Sequence, residues 1–236
     1  MGRRDDLTTP FDPRQDLADA PVTGARMRPK DAATLILVRD GKVLMGRRAQ
    51  GHVFMAAKWV FPGGRIDRSD FRAASTGDFD ARSAARLTAA AAPHRARALA
   101  LTAIRETFEE TGLIVGRKAP PASVAGPWRD YRAAGAVPDL SALTYVARAI
   151  TPPGRARRFD ARFFMADGSA LLSRDIDGSG ELDEIAWIPW EEAESLDLPA
   201  ITRFVIGEVG RRLNDPERPA PFVHFVRGKH QIEAMD

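Results

Sequence analysis

The chain has no cysteine among its 236 residues, which excludes a disulfide framework and any thiolate metal site. Its four histidines, His52, His94, His224 and His230, are widely spaced and form no i, i+4 pair, so a histidine metal site or proton shuttle is not expected. No apolar run reaches the length of a membrane span, and no apolar stretch follows Arg3-Arg4; a soluble, cytoplasmic chain with no membrane partner is expected. An excess of one charge is lacking too. With 35 basic and 32 acidic residues the net charge is +3, and no basic run is interleaved with aromatics, which argues against a nucleic-acid partner. The arginine clusters at 155–158 and 211–212 read as solvated faces.

What is present is a concentration of acid on one short segment. Residues 105–113 read Arg-Glu-Thr-Phe-Glu-Glu-Thr-Gly-Leu, and a helix there puts Glu106, Glu109 and Glu110 on one face, with Leu101, Ile104 and Phe108 on the other. Like charges at i+3 and i+4 destabilise a helix by roughly 0.2–0.5 kcal/mol per pair. A hard divalent cation with oxygen ligands, Mg²⁺ or Mn²⁺, would offset that repulsion, and such ions commonly act with substrate phosphates. Gly112-Leu113 fits a left-handed cap that ends the helix. Upstream, Trp59 to Gly64 reads as a buried strand breaking into a glycine turn, where backbone can approach a metal or phosphate.

Together these pieces resemble the signature of the Nudix hydrolases: Gly, five residues, Glu, seven residues, then Arg-Glu-apolar-any-Glu-Glu-any-Gly-apolar. Gly64 opens the motif, Arg105 to Leu113 closes it, and Thr107 fills its first apolar slot. Two positions depart from the pattern. Asp70 stands where the first Glu would be, and the stretch from there to Arg105 is far longer than seven residues. Such an interrupted motif is similar to the branch that includes the mammalian peroxisomal coenzyme A diphosphatases, as do Asp67 and Asp70, Thr151-Pro152-Pro153 and the run Arg158 to Phe164. The resemblance covers about residues 31 to 204.

The resemblance implies an α/β fold, a Nudix-type α/β/α sandwich with a mixed central sheet and a helical insertion inside the motif. It further implies metal-dependent hydrolysis of a nucleoside diphosphate linked to another moiety, with coenzyme A or an acyl derivative favoured as the small-molecule partner. ADP-ribose or a dinucleotide is the enzymic alternative, and a nucleotide-sensing module without turnover is the other. Sensors of that kind commonly lose acids from the catalytic helix, whereas all three glutamates are kept here. The missing cysteine counts against the isoprenyl diphosphate isomerases. By the same resemblance Glu106, Glu109 and Glu110, with the Gly63 carbonyl, are the metal ligands, and the catalytic set is Glu106, Glu109, Arg105 and Glu181. Arg105 is expected to pair with Glu109 and hold the helix against the glycine loop. Glu181 precedes a predicted strand and is the first choice for an acid from outside the motif; Glu184 is the second, and an acidic solvated turn is the alternative to both.

Arg47 and Arg48, at a strand end, and Arg158 with Phe159 are candidates for substrate binding, although solvated arginines and a core phenylalanine would look the same. Asp67 and Asp70 read most simply as caps at the start of the insertion. The expected organisation is a polar arm over residues 1–30, a domain over 31–214 with its insertion at 65–94, and a tail over 215–236 whose alternating segment 221–227 suggests an edge strand. Strands are predicted at 32–38 and 43–46 around an Asp40-Gly41 turn, then at 58–61, 142–150, 162–165 and 185–189. Helices are predicted at 80–92, 94–111, 128–134, 190–196 and 200–213. The insertion, lying between glycine turn and acidic helix, is expected to wall the substrate pocket. A homodimer is left open.

Overall fold

The structure is a computed structural model that describes residues 27–49, 57–155, 157–173, 175–178, 180–227 and 229–235. The expected N-terminal arm up to residue 26, and His52 with the loop around it, lie outside the described residues.

The fold is organised around β1 (Lys30–Arg39). Its apolar residues point to both faces of a sheet: Ala33, Leu35 and Leu37 enter one core, Ile36 and Val38 the other. A strand buried on both sides needs a layer of helix on each. One layer is α2 (Pro93–Thr111), whose Leu99, Leu101 and Ile104 fill the first core. The other is α5 (Ala200–Asn214), whose Phe204, Val205 and Val209 fill the second. The result is an α/β/α sandwich with a mixed central sheet.

β1 runs antiparallel to β2 (Lys42–Arg48) through the Asp40-Gly41 turn. It also pairs antiparallel with the short β4 (Gly63–Arg65), which follows β3 (Trp59–Val60). On its other edge β1 lies parallel to β8 (Phe159–Asp167), next to β7 (Thr144–Ile150). The sheet continues through β10 (Ala220–Val226) to β11 (Lys229–Met235), while β9 (Leu182–Pro189) pairs with β2. A separate ribbon joins β5 (Gly116–Lys118) and β6 (Ala136–Pro138). The tail therefore departs from expectation: its alternating segment is β10, which lies inside the sheet, and β11 is the edge.

The insertion carries α1 (Ala81–Ala90), capped by the Asp80 side chain, which accepts from Arg82 N and Ser83 N. Pro93 then starts α2, where a missing N–H costs nothing. Leu87 is buried in the first core, and Ser83 Oγ accepts from Tyr145 N at 2.9 Å. Arg82 pairs with Glu217 across the surface. These contacts tie the insertion to β7 and the segment before β10. Leu87→Ala should lower stability by about 2–3 kcal/mol through lost burial and a residual cavity. Chemical denaturation checks that figure, and a loss near zero would mean that α1 is not part of the core.

The solvated face expected at 211–212 fails at Arg212. Arg212 is buried, paired with Glu208 at 3.2 Å and donating to the carbonyls of Arg218 and Pro219 at 2.7 and 2.9 Å. Glu208 also pairs with Arg218 at 3.0 Å, so the buried ionic cluster sets the turn from α5 into β10.

Candidate active site

The acidic face of α2 is set against the glycine turn. Gly112 ends the helix in a left-handed conformation (φ 72°), its N–H donating to Phe108 O at 2.8 Å. Two residues earlier Glu110, 4% exposed, accepts from Gly63 N at 3.0 Å. Gly64 packs directly on Glu106: a Cβ at that position would lie 2.4 Å from the carboxyl carbon. Any side chain at position 64 would have to displace the Glu106 carboxylate from where it lies against β4.

Arg105 is the hub of the arrangement. Its Nη1 donates to Glu106 Oε1 at 2.9 Å and Glu109 Oε2 at 2.8 Å, and its Nη2 donates to the Arg65 carbonyl at 3.0 Å. The guanidinium thus joins helix and glycine turn. Behind it lies Asp70, fully buried, which accepts from Arg105 Nε at 2.9 Å and Nη2 at 3.0 Å. Asp70 also accepts from Trp128 Nε1 (3.0 Å), Thr102 Oγ1 (2.8 Å) and the Asp67 N–H (2.9 Å). Its role is therefore larger than a cap. Asp67 does act as one, accepting from Ser69 N at 2.7 Å.

Burial would lower the Arg105 pKa, but hydrogen bonds to Asp70 and the charges of Glu106, Asp70 and Glu109 raise it instead. Desolvation raises Glu106 and Glu109, with Arg105 opposing in both. At Glu110 burial, followed by the Glu106 charge, pushes the carboxyl up to about 8, against the Gly63 N–H and the Arg48 charge. Its folded pKa lies above the unfolded one. Between about pH 4.5 and about pH 8 the folded chain holds a proton that the unfolded chain has released, so stability falls as pH rises through that window. Thermal unfolding of metal-free protein across it should show a falling Tm. Glu110→Gln cannot ionise and should flatten the slope; an unchanged slope would exclude Glu110 as its source.

The glutamates open onto a cavity of about 810 Å³. Gly63, Arg105, Glu106, Glu109, Glu110, Arg48, Phe159 and Glu181 all line it, so the fold brings these sequence candidates together. Three candidates go elsewhere. Arg47 faces away and pairs with Glu184 at 3.2 Å, because consecutive residues of β2 alternate sides and β9 sets Glu184 opposite it. That pair also takes up Glu184. Arg158 does not line the cavity; its guanidinium donates to the carbonyls of Thr151 (3.0 Å) and Met27 (2.6 Å), holding the loop before β8.

The start of the insertion, Arg65, Ile66 and Asp67, lines this space, but its helical part does not. Among the described residues none from 71 to 92 lines it, because α1 is drawn to the core and the Glu217 side instead. Lys30, Arg155, Arg157 and His230 do line it and were not singled out as site residues by sequence. Arg155 is buried rather than solvated. His230 arrives on β11, a strand without a recognised pattern, and no local signal places it here.

No family model and no curated protein matches the chain. Solved structures do. The NUDIX hydrolase from Alicyclobacillus acidocaldarius is 30% identical, with 78% of this chain and 91% of that one covered at a TM-score of 0.61. The chain belongs to the Nudix hydrolase family. It is accordingly an enzyme of diphosphate bonds. The MutT protein from Methanosarcina mazei Go1 (17% identity; 81% of this chain and 100% of that one; TM-score 0.48) is more distant. So is the NUDIX domain of Shewanella oneidensis NrtR, solved with ADP ribose (15%; 86% and 99%; 0.48). Among the described residues no helix of this Nudix hydrolase is long and apolar enough to cross a membrane.

Proposed function

We propose that the chain hydrolyses the diphosphate of a nucleoside diphosphate linked to another moiety, with Mg²⁺ or Mn²⁺ held by Glu106, Glu109, Glu110 and the Gly63 carbonyl. The observation that carries this reading is the shared cavity: the acidic face of α2 and Glu181 open onto the same space as Arg48, Lys30 and Phe159. Among the described residues no three acidic or histidine side chains converge as a preformed cage. Arg105 holds Glu106 and Glu109, and the Gly63 N–H holds Glu110. The donors nevertheless fit a hard divalent cation, being carboxylate oxygens in a buried setting where Glu110 is destabilised as an anion. When bound, such a cation offsets charge on phosphoryl oxygens and lowers the pKa of water.

The remaining roles fall to the protein. Arg105 and Asp70 fix the carboxylates against the glycine turn. Glu181, which lines the same cavity, is the residue proposed to accept a proton from the attacking water. Arg48 and Lys30 offer positive charge to the phosphates, and Phe159 offers a ring to the organic part of the substrate.

Coenzyme A or an acyl derivative is the favoured substrate. The interrupted motif supports it, and so does a cavity toward the large end of small-molecule sites. The test is a panel of coenzyme A, acetyl-coenzyme A, ADP-ribose and dinucleotides with Mg²⁺ or Mn²⁺, with products separated by chromatography. The expected result is cleavage within the diphosphate, fastest for the coenzyme A compounds. A clear preference for ADP-ribose would replace that substrate, and no cleavage of any compound would favour a sensing module.

A further inference from the structure

The cavity is longer than the acidic face requires. Its lining runs from Gly63 on β4 to His230 on β11, and the order β4, β1, β8, β7, β10, β11 puts five inter-strand steps between them. Laid flat, five such steps make about 24 Å, well beyond the reach of a diphosphate. One end of a substrate seated at the glutamates must therefore extend toward β11, or leave that part of the space to water.

The two ends also differ in charge. Glu106, Glu109, Glu110 and Glu181 belong to the α2 end. Asp31, in the wall between, is already engaged by Arg95 at 2.6 Å and by Arg162 at 3.6 Å. Away from the glutamates the lining carries Arg155 and Arg157, from the loop between β7 and β8, and His230 on β11, which lies within electrostatic range of Arg155. Arg155 is only 6% exposed, so its charge acts in a poorly solvated wall, where an anion gains more than at an open surface. Burial, and then the Arg155 charge, lowers the His230 pKa, which shows that the two side chains feel each other. A neutral imidazole still donates one hydrogen bond.

We propose that Arg155, Arg157 and His230 form a second anion subsite, which takes a phosphate or carboxylate on the part of the substrate that is not cleaved. The identity of that substrate rests on the proposed diphosphate hydrolysis; the subsite itself does not. Two sources share this chemistry, a phosphomonoester on the nucleoside and a carboxylate at the end of an acyl chain. Matched pairs separate them: coenzyme A against dephospho-coenzyme A, and succinyl- against butyryl-coenzyme A.

Binding of all four compounds is measured by calorimetry in EDTA, on wild type and on Arg157→Glu, a change at an exposed position that should not disturb folding. The expected result is about a 10- to 100-fold tighter Kd for the charged member of one pair, lost in Arg157→Glu. The pair that shows it identifies the source. Equal affinities within both pairs, or a preference that Arg157→Glu leaves at its wild-type size, would overturn the subsite. Cleavage of the same compounds with Mn²⁺ is scored separately. Its absence would contradict the proposed reaction, while the binding comparison would still decide the subsite.

Discussion

Replacing Glu109 or Glu110 by Gln should reduce diphosphate turnover by more than roughly 100-fold at saturating Mg²⁺ or Mn²⁺, since each change removes an anionic oxygen donor from the reacting end of the cavity. Folding should survive, because Gln keeps the length and the helix propensity of Glu. For Glu110→Gln stability should even rise near neutral pH, as folding of the variant no longer requires uptake of a proton by a carboxyl that burial pushes up to about 8. The two effects have opposite signs. A loss of activity caused by misfolding would lower Tm as well, so the pair of measurements separates chemistry from damage. Near wild-type turnover in both variants would exclude these glutamates from the reaction.

Asp70→Ala is expected to be the most damaging change outside the cavity. It strips a buried guanidinium of two hydrogen bonds and leaves Trp128 Nε1 and Thr102 Oγ1 without the carboxylate they share. Breaking one side of a buried ion pair costs roughly 3–5 kcal/mol. Activity should fall along with stability, since Arg105 positions Glu106 and Glu109 only while its other edge is held. Asp70→Asn keeps an acceptor and much of the shape, so it should be milder in stability and still slower in turnover. Denaturant unfolding and kcat for both variants check this. Wild-type stability in Asp70→Ala would show that Arg105 needs no anchor behind it.

How far the sequence was readable followed from the range of the interactions concerned. The helix with Glu106, Glu109 and Glu110, its glycine cap and the Asp40-Gly41 hairpin are local patterns, and each lies where periodicity and turn chemistry predicted. Pairing of Arg105 with Glu109 is an i, i+4 contact and was readable for the same reason. Asp70 was harder. It lies 35 residues from Arg105, and only the fold shows that the two meet in a buried pair. The arginines failed most often because one residue type serves several surroundings. Arg47 and Arg48 differ by one position, yet strand alternation turns one to Glu184 and the other to the cavity. Arg212 looked solvated until Glu208, four residues before it on α5, and Arg218 beyond the helix enclosed it. The insertion was misplaced by proximity in sequence: it leaves the glycine turn near the glutamates, but Leu87 and Ser83 carry it to the core beside β7.

The account stands on cleavage of a diphosphate bond by water at the Glu106, Glu109 and Glu110 face. The most direct measurement incubates the protein with coenzyme A or ADP-ribose in ¹⁸O-labelled water and follows the two phosphate-bearing products by mass spectrometry, with Mn²⁺ present or chelated, for wild type and Glu109→Gln. The expected result is one label in one of the two products, appearing only with Mn²⁺ and nearly lost in Glu109→Gln. Labelled product formed equally well in excess chelator, or at the wild-type rate by Glu109→Gln, would contradict it.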